Sequence, residues 1–146
     1  KVNPSHQPLA ELEKLHHLRV LLVNDDPKSL RTLEAMTKSF GWQVDAATSI
    51  SSARQRIKLE KKGYVNYDLL MVDITEESTD VIELCKSILD DPFPPALIFI
   101  LPYGREIVTE KNKAIFSVVK KFLIKPVTPS VIFEAVIDLI VNKNNL

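Results

Sequence analysis

Tyr67-Asp68-Leu69-Leu70-Met71-Val72-Asp73-Ile74 is the stretch on which the reading of this chain turns. Leu69 to Val72 are uninterruptedly apolar, and a carboxylate, Asp73, follows at once. A run that short, apolar on both faces, suits a central strand of a parallel sheet covered by helices on both sides. In open α/β sheets, ligands and chemistry gather just beyond the carboxyl ends of the strands. Asp73 therefore stands at the rim where a site is expected. Taken alone, a strand-end Asp more often starts a turn than carries chemistry. The other strand ends change that balance.

Working outward, Arg19 to Val23 reads as a first strand, followed by Asn24-Asp25-Asp26-Pro27. Asp26 is placed to cap a helix that Pro27 opens. Leu30, Leu33, Met36 and Phe40 recur at helical spacing, and Gly41 ends that helix as a residue past its C-cap. Gln43 to Ala47 is a second strand, with Val44 and Ala46 on one face and Asp45 on the other. Thr48 or Ser49 caps a basic helix over 50–62 whose thin apolar face is Ile50, Ala53, Ile57 and Leu59. The third strand spans 67–73, and a helix carrying Val81, Leu84, Cys85 and Ile88 follows to about Leu89. Ala96 to Leu101 is a fourth, fully apolar strand. The segment 105–113 reads as a poorly amphipathic helix, and Phe122 to Ile124 as a fifth strand ended by Lys125-Pro126. Thr128-Pro129 opens a last helix, with Val131, Ile132, Ala135, Val136, Leu139 and Ile140 as its apolar face.

Strands alternate with helices five times. The expected fold class is α/β: a doubly wound, five-stranded parallel sheet of order 2-1-3-4-5, the flavodoxin-like arrangement. Its switch point lies between strands 1 and 3, so Asp25 and Asp73 are expected to face one another across the crevice.

Composition bounds the function. The 146 residues suit one domain, with 45% hydrophobic and 26% charged residues. Lys+Arg and Asp+Glu are both 19, which gives no overall field for nucleic acid or an anionic membrane. The basic helix lacks interleaved aromatics and reads as a solvated face. Cys85 is the only cysteine, in keeping with a reducing cytoplasm. No apolar run approaches a bilayer span. Residues 1–17 read as a linker or upstream helix, with Leu9, Leu12 and Leu15 at helical spacing; 18–142 form the domain and 143–146 a polar tail. His6, His16 and His17 read as solvated, since no Cys or third spaced His accompanies them.

The carboxylates at the switch point are joined by Lys125 from the end of strand 5. Crowded carboxylates repel unless a cation joins them. Mg²⁺ binds through one or two carboxylates, waters and a phosphate, and a lysine supplies a mobile positive charge for phosphoryl oxygens. Asp73 is then the nucleophile of a phosphoryl transfer. With no Gly-rich phosphate loop, a nucleotide is not the expected donor.

Val23-Asn24-Asp25-Asp26-Pro27, Leu69 to Ile74, Ile100 to Glu106 and Phe122 to Val127 resemble, in order, the four signatures of the response-regulator receiver domain of two-component signalling. The resemblance covers residues 18–142. It implies phosphoryl acceptance from a phosphohistidine with Mg²⁺, in a phosphorelay partnered by a histidine kinase or histidine phosphotransfer domain. By position, Asp73 resembles the phosphoacceptor, Asp25 the principal metal-binding acid and Lys125 the partner lysine. The Thr75 backbone carbonyl takes the third metal-ligand position, with Asn24 and Asp26 as further candidates. Phe122 resembles the aromatic switch residue. Ser39 to Asp45, Tyr103 to Glu106 and Leu123 to Ser130 look most like receivers of hybrid sensor histidine kinases, and 8–18 fits a linker from an upstream kinase domain.

Three departures accompany the resemblance. The usual acidic pair is Asn24-Asp25, one negative charge short. Leu101 occupies the position of a strand-4 Ser or Thr whose hydroxyl normally binds the phosphoryl group and drives the switch. The loop after Asp73 carries Glu76 and Glu77. They favour a second reading, a degenerate receiver acting as a phosphorylation-independent interaction module. A flavodoxin-like cofactor binder shares the topology but wants a Ser/Thr/Gly-rich loop where this chain has carboxylates.

Overall fold

The computed structural model describes residues 17–63, 66–74, 79–104 and 108–142. Ten elements alternate: β1 (Arg19–Val23), α1 (Pro27–Lys38), β2 (Gln43–Ala47), α2 (Ile50–Lys62), β3 (Leu69–Asp73), α3 (Thr79–Asp90), β4 (Ala96–Leu101), α4 (Lys113–Phe116), β5 (Val119–Ile124) and α5 (Pro129–Asn142). The five strands are all parallel, in the order β2-β1-β3-β4-β5. This is the expected doubly wound sheet. β3 lies at its centre and is buried throughout except at Asp73, as its unbroken apolar run requires.

Alternation along the strands divides the core in two. Leu21, Val23, Leu70, Val72, Phe99 and Leu101 face α2 and α3, where Ala53, Val81, Leu84, Cys85 and Ile88 cover them. Leu22, Met71, Ile98 and Ile100 face α1 and α5, covered by Leu30, Leu33, Ile132, Ala135 and Val136. Trp42 closes that second layer, packed on Phe40 and Phe133 with ring centroids 4.8 and 6.2 Å away. No helix among the described residues is long and apolar enough to cross a membrane.

Several boundaries differ from the sequence-based expectation. β3 begins at Leu69 rather than Tyr67, because the Arg19 N–H of β1 donates to the Asp68 side-chain carboxylate at 2.9 Å rather than to a β3 carbonyl, while the Tyr67 hydroxyl donates to Asp45 at 2.6 Å. The helix expected over 105–113 is absent from its described part. Residues 110–112 form a turn, the Thr109 N–H donates to the Asn112 side chain, and a single helical turn follows at Lys113–Phe116. That segment buries only Phe116, too little apolar surface to support a longer helix. β5 begins at Val119, three residues earlier than expected. Val119 pairs with Leu97 and Lys121 with Ile98, so Lys120 is the extra residue of a bulge that hides the alternation. Leu59 is 65% exposed and contributes nothing to the core. Gly41, at φ 88°, sits two residues past the C-cap Ser39 rather than next to it. Segments 1–16 and 143–146 lie outside the described residues.

Candidate functional site

The sheet's backbone ladder runs past the strand ends and fixes the rim. The Asn24 N–H donates to the Ala47 carbonyl at 3.1 Å, Ile74 N–H to Ile100 at 2.8 Å and Lys125 N–H to Leu101 at 2.9 Å. The residues that follow β1, β3 and β5 are thereby held in register, and their side chains converge on Asp73. The Asn24 amide Nδ2 donates to Asp73 Oδ2 at 3.0 Å. The Lys125 Nζ lies 2.8 Å from Asp73 Oδ1. Asn24 itself is buried, and its Oδ1 accepts the Asp26 N–H at 2.9 Å. The Asp73 carboxylate is thus gripped on one oxygen by a neutral donor and on the other by a cation.

Asp26 is turned away from this cluster. Its Oδ1 accepts the Lys28 N–H at 3.3 Å and its Oδ2 the Ser29 hydroxyl at 2.8 Å, so it caps α1. Those two hydrogen bonds, the Ser29 hydroxyl first, hold its pKa below the ordinary aspartate value. Asp26 is thus the helix cap that its register suggests, and its candidacy as a metal ligand finds no support in this geometry. Asp25, by contrast, is exposed at the mouth.

The Asp73 side chain is only 6% exposed. Burial pushes its pKa up from the usual value. Lys125 pulls in the opposite direction, and the nearby charges of Asp25 and Asp26 add to the rise.

Two recesses flank Asp73. One, of about 280 Å³, is lined by Asn24, Asp25, Thr48, Ser49, Asp73 and Asp80 among others. The other, of about 310 Å³, runs between α1 and the β5–α5 connection past Lys28, Thr32, Met36, Lys125 and Val127. Thr48, Ser49 and Asp80 are additions that sequence reading did not assign to the site. Ser49 caps α2 as one of the two expected cap candidates, its hydroxyl accepting the Ser52 N–H at 3.0 Å. Thr48 follows β2 on the same rim as Asn24, and that placement was the available signal.

Asp25 and Asp73, hard oxygen donors opening on one recess, suit Mg²⁺, which binds proteins through one or two carboxylates. Among the described residues no group of three or more His, Cys, Asp or Glu side chains is arranged to hold a metal. Thr75, expected to supply a backbone carbonyl, and the acidic Glu76 and Glu77 lie outside the described residues.

Leu101 is 5% exposed and packs with Val72, Phe99 and Phe116. It has no hydroxyl to offer Asp73. Phe122 stands opposite Phe99 on β5, ring centroids 6.0 Å apart and edge to face. At 36% exposure it lies at the surface of the edge strand.

The sequence model described as the response regulator receiver domain matches residues 20–137. The chain belongs to that family. This receiver is 32% identical over 71 residues to the two-component response regulator ARR11 of Arabidopsis thaliana, which covers 49% of this chain and 13% of that protein. It is 23% identical over 118 residues to the transcriptional regulatory protein ResD of Bacillus subtilis (strain 168), covering 81% of this chain and 46% of that one. The chain thus spans less than half the length of either relative. Among solved structures, a CheY-like receiver domain protein of Methanospirillum hungatei superposes with a TM-score of 0.68 at 19% identity, covering 90% of this chain and 99% of that one. The response regulator TrrA of Thermotoga maritima, solved with Mg²⁺ and BeF, superposes with a TM-score of 0.62 at 20% identity, covering 84% and 98%. These likenesses show the shared fold.

Proposed function

We propose that this receiver domain accepts a phosphoryl group from a phosphohistidine onto Asp73, as a step of a phosphorelay. The observation that carries the reading is the grip on the Asp73 carboxylate by Lys125 at 2.8 Å and Asn24 at 3.0 Å, at the switch point of the sheet. In the transfer, an Asp73 oxygen forms a bond to phosphorus as the phosphorus–nitrogen bond breaks, and the imidazole leaves carrying a proton. Burial removes water from the carboxylate and leaves it a better nucleophile. Lys125 is on a flexible stem and 35% exposed, so it can follow the charge from the carboxylate to the phosphoryl oxygens. Asp25, Asp73 and the Thr75 carbonyl are the groups proposed to hold Mg²⁺, which when bound offsets negative charge on the transferring group. The partner is a histidine kinase or histidine phosphotransfer domain, and the parent is a hybrid sensor histidine kinase.

A second reading, a phosphorylation-independent interaction module, draws on the buried Leu101, which gives a phosphate no hydroxyl to recruit. Intact mass after incubation with Mg²⁺ and a small phosphoramidate separates the two. The proposal expects a labile phosphoryl adduct that Asp73→Asn abolishes. An unchanged mass in folded protein supports the interaction module instead.

A further inference from the structure

The place of Asn24 among the residues around Asp73 carries one step more. An acidic residue at this position would repel Asp73 and leave its Oδ2 for a cation. Asn24 does the reverse: its amide N–H donates into Asp73 Oδ2, while its own Oδ1 is used by the Asp26 N–H. The side chain is 1% exposed, so neither bond is diluted by solvent. Lys125 offsets the charge on the other oxygen as an ion pair, although that buried Oδ1 accepts no hydrogen bond.

We propose that Asn24 is a positioning residue that occupies the place of the cation on Asp73, so that Mg²⁺ enters this receiver only by displacing the Asn24 amide. The inference rests on the reading of Asp25 and Asp73 as the metal-holding pair. It differs from the simpler idea that Asn24 weakens metal binding by lacking a charge. A missing charge predicts that Asn24→Ala binds Mg²⁺ no more tightly than the native protein. A competing donor predicts that the same variant binds it more tightly, by roughly tenfold, since a hydrogen bond to a charged group is worth about that factor. Asn24→Asp removes the donor and adds a charge, and binds more tightly still.

The experiment is a Mg²⁺ titration of the native chain and both variants, followed by amide shifts at residues 24–26 and 73–74 and by the side-chain NH₂ resonances of Asn24. In the native chain the Asn24 NH₂ signals shift with the same midpoint as the backbone signals of Asp25 and Asp73. That readout needs no variant and holds should Asn24→Ala fail to fold. Mg²⁺ binding that leaves the Asn24 NH₂ signals in place, or an Asn24→Ala variant that folds and binds no more tightly, overturns the role of Asn24 alone. Failure of every variant, Asn24→Asp included, to bind Mg²⁺ overturns both this inference and the metal-holding pair beneath it.

Discussion

Replacing Lys125 with Met keeps much of the apolar stem and deletes the ammonium 2.8 Å from Asp73 Oδ1. At that separation and an effective dielectric of ~20, the gross Coulomb attraction is about 6 kcal/mol. Most of it is offset, because Lys125 is 35% exposed and gives up hydration and rotamer freedom to make the pair. The other side of the pair is less forgiving, since the Asp73 side chain is only 6% exposed. Stranding a carboxylate there costs more than losing a surface pair, and a net ~1–2 kcal/mol at neutral pH is expected. For a chain of this length that is a fall in Tm of roughly 2–8 °C. The pH dependence has a definite sign. Burial already raises the folded-state pKa of Asp73, and removing Lys125 raises it further. A raised carboxylate contributes stability that is fully present below its unfolded pKa and lost as pH rises through the folded one. The gap between Lys125→Met and native protein therefore opens from about pH 4 towards neutrality. Thermal unfolding of both proteins over that range is the assay. A gap that is constant with pH, or widest at acid pH, refutes the reasoning.

Leu101→Thr puts a hydroxyl into a well-packed layer and is expected to cost about 1–3 kcal/mol, read by denaturant unfolding. In exchange it increases the amide-shift changes at Phe122 caused by a phosphoryl mimic; changes as large in the native chain would show that the hydroxyl is dispensable. Tyr67→Phe removes the 2.6 Å hydrogen bond to Asp45, which also faces Arg19 and Arg56, and loses roughly 1.5–3 kcal/mol; a Tm equal to the native one would mean the bond contributes nothing net. Cys85 is buried, and burial pushes its thiol pKa up to about 12, so an aromatic disulfide reagent near ~pH 8 reacts with it only after denaturation; rapid reaction of native protein would contradict that placement.

The parts of the fold legible in the sequence are those decided by local chemistry. β3 and β4 declare themselves because both faces are covered and their apolar runs are unbroken. Asp26-Pro27 and Thr128-Pro129 declare helix starts because a cap oxygen and a fixed φ act within one turn, and both do so here. β5 is less legible because an edge strand carries solvated lysines and a bulge that breaks the period of two. α4 is illegible because one buried Phe decides a single turn. At the site, topology alone brings Asp73 and Lys125 together. The role of Asn24 escapes the sequence for a different reason. An amide is donor and acceptor at once, and only its rotamer decides which end meets Asp73.

The central claim is that Asp73 carries the phosphoryl group. The most direct measurement treats the phosphoramidate-incubated protein with borohydride, which reduces an acyl phosphate to an alcohol, and locates the modified residue by peptide mass. The account predicts homoserine in place of Asp73 and no reduction at Asp25 or Asp26. Reduction at another carboxylate, or at none while Mg²⁺ is bound and the protein folded, would contradict it.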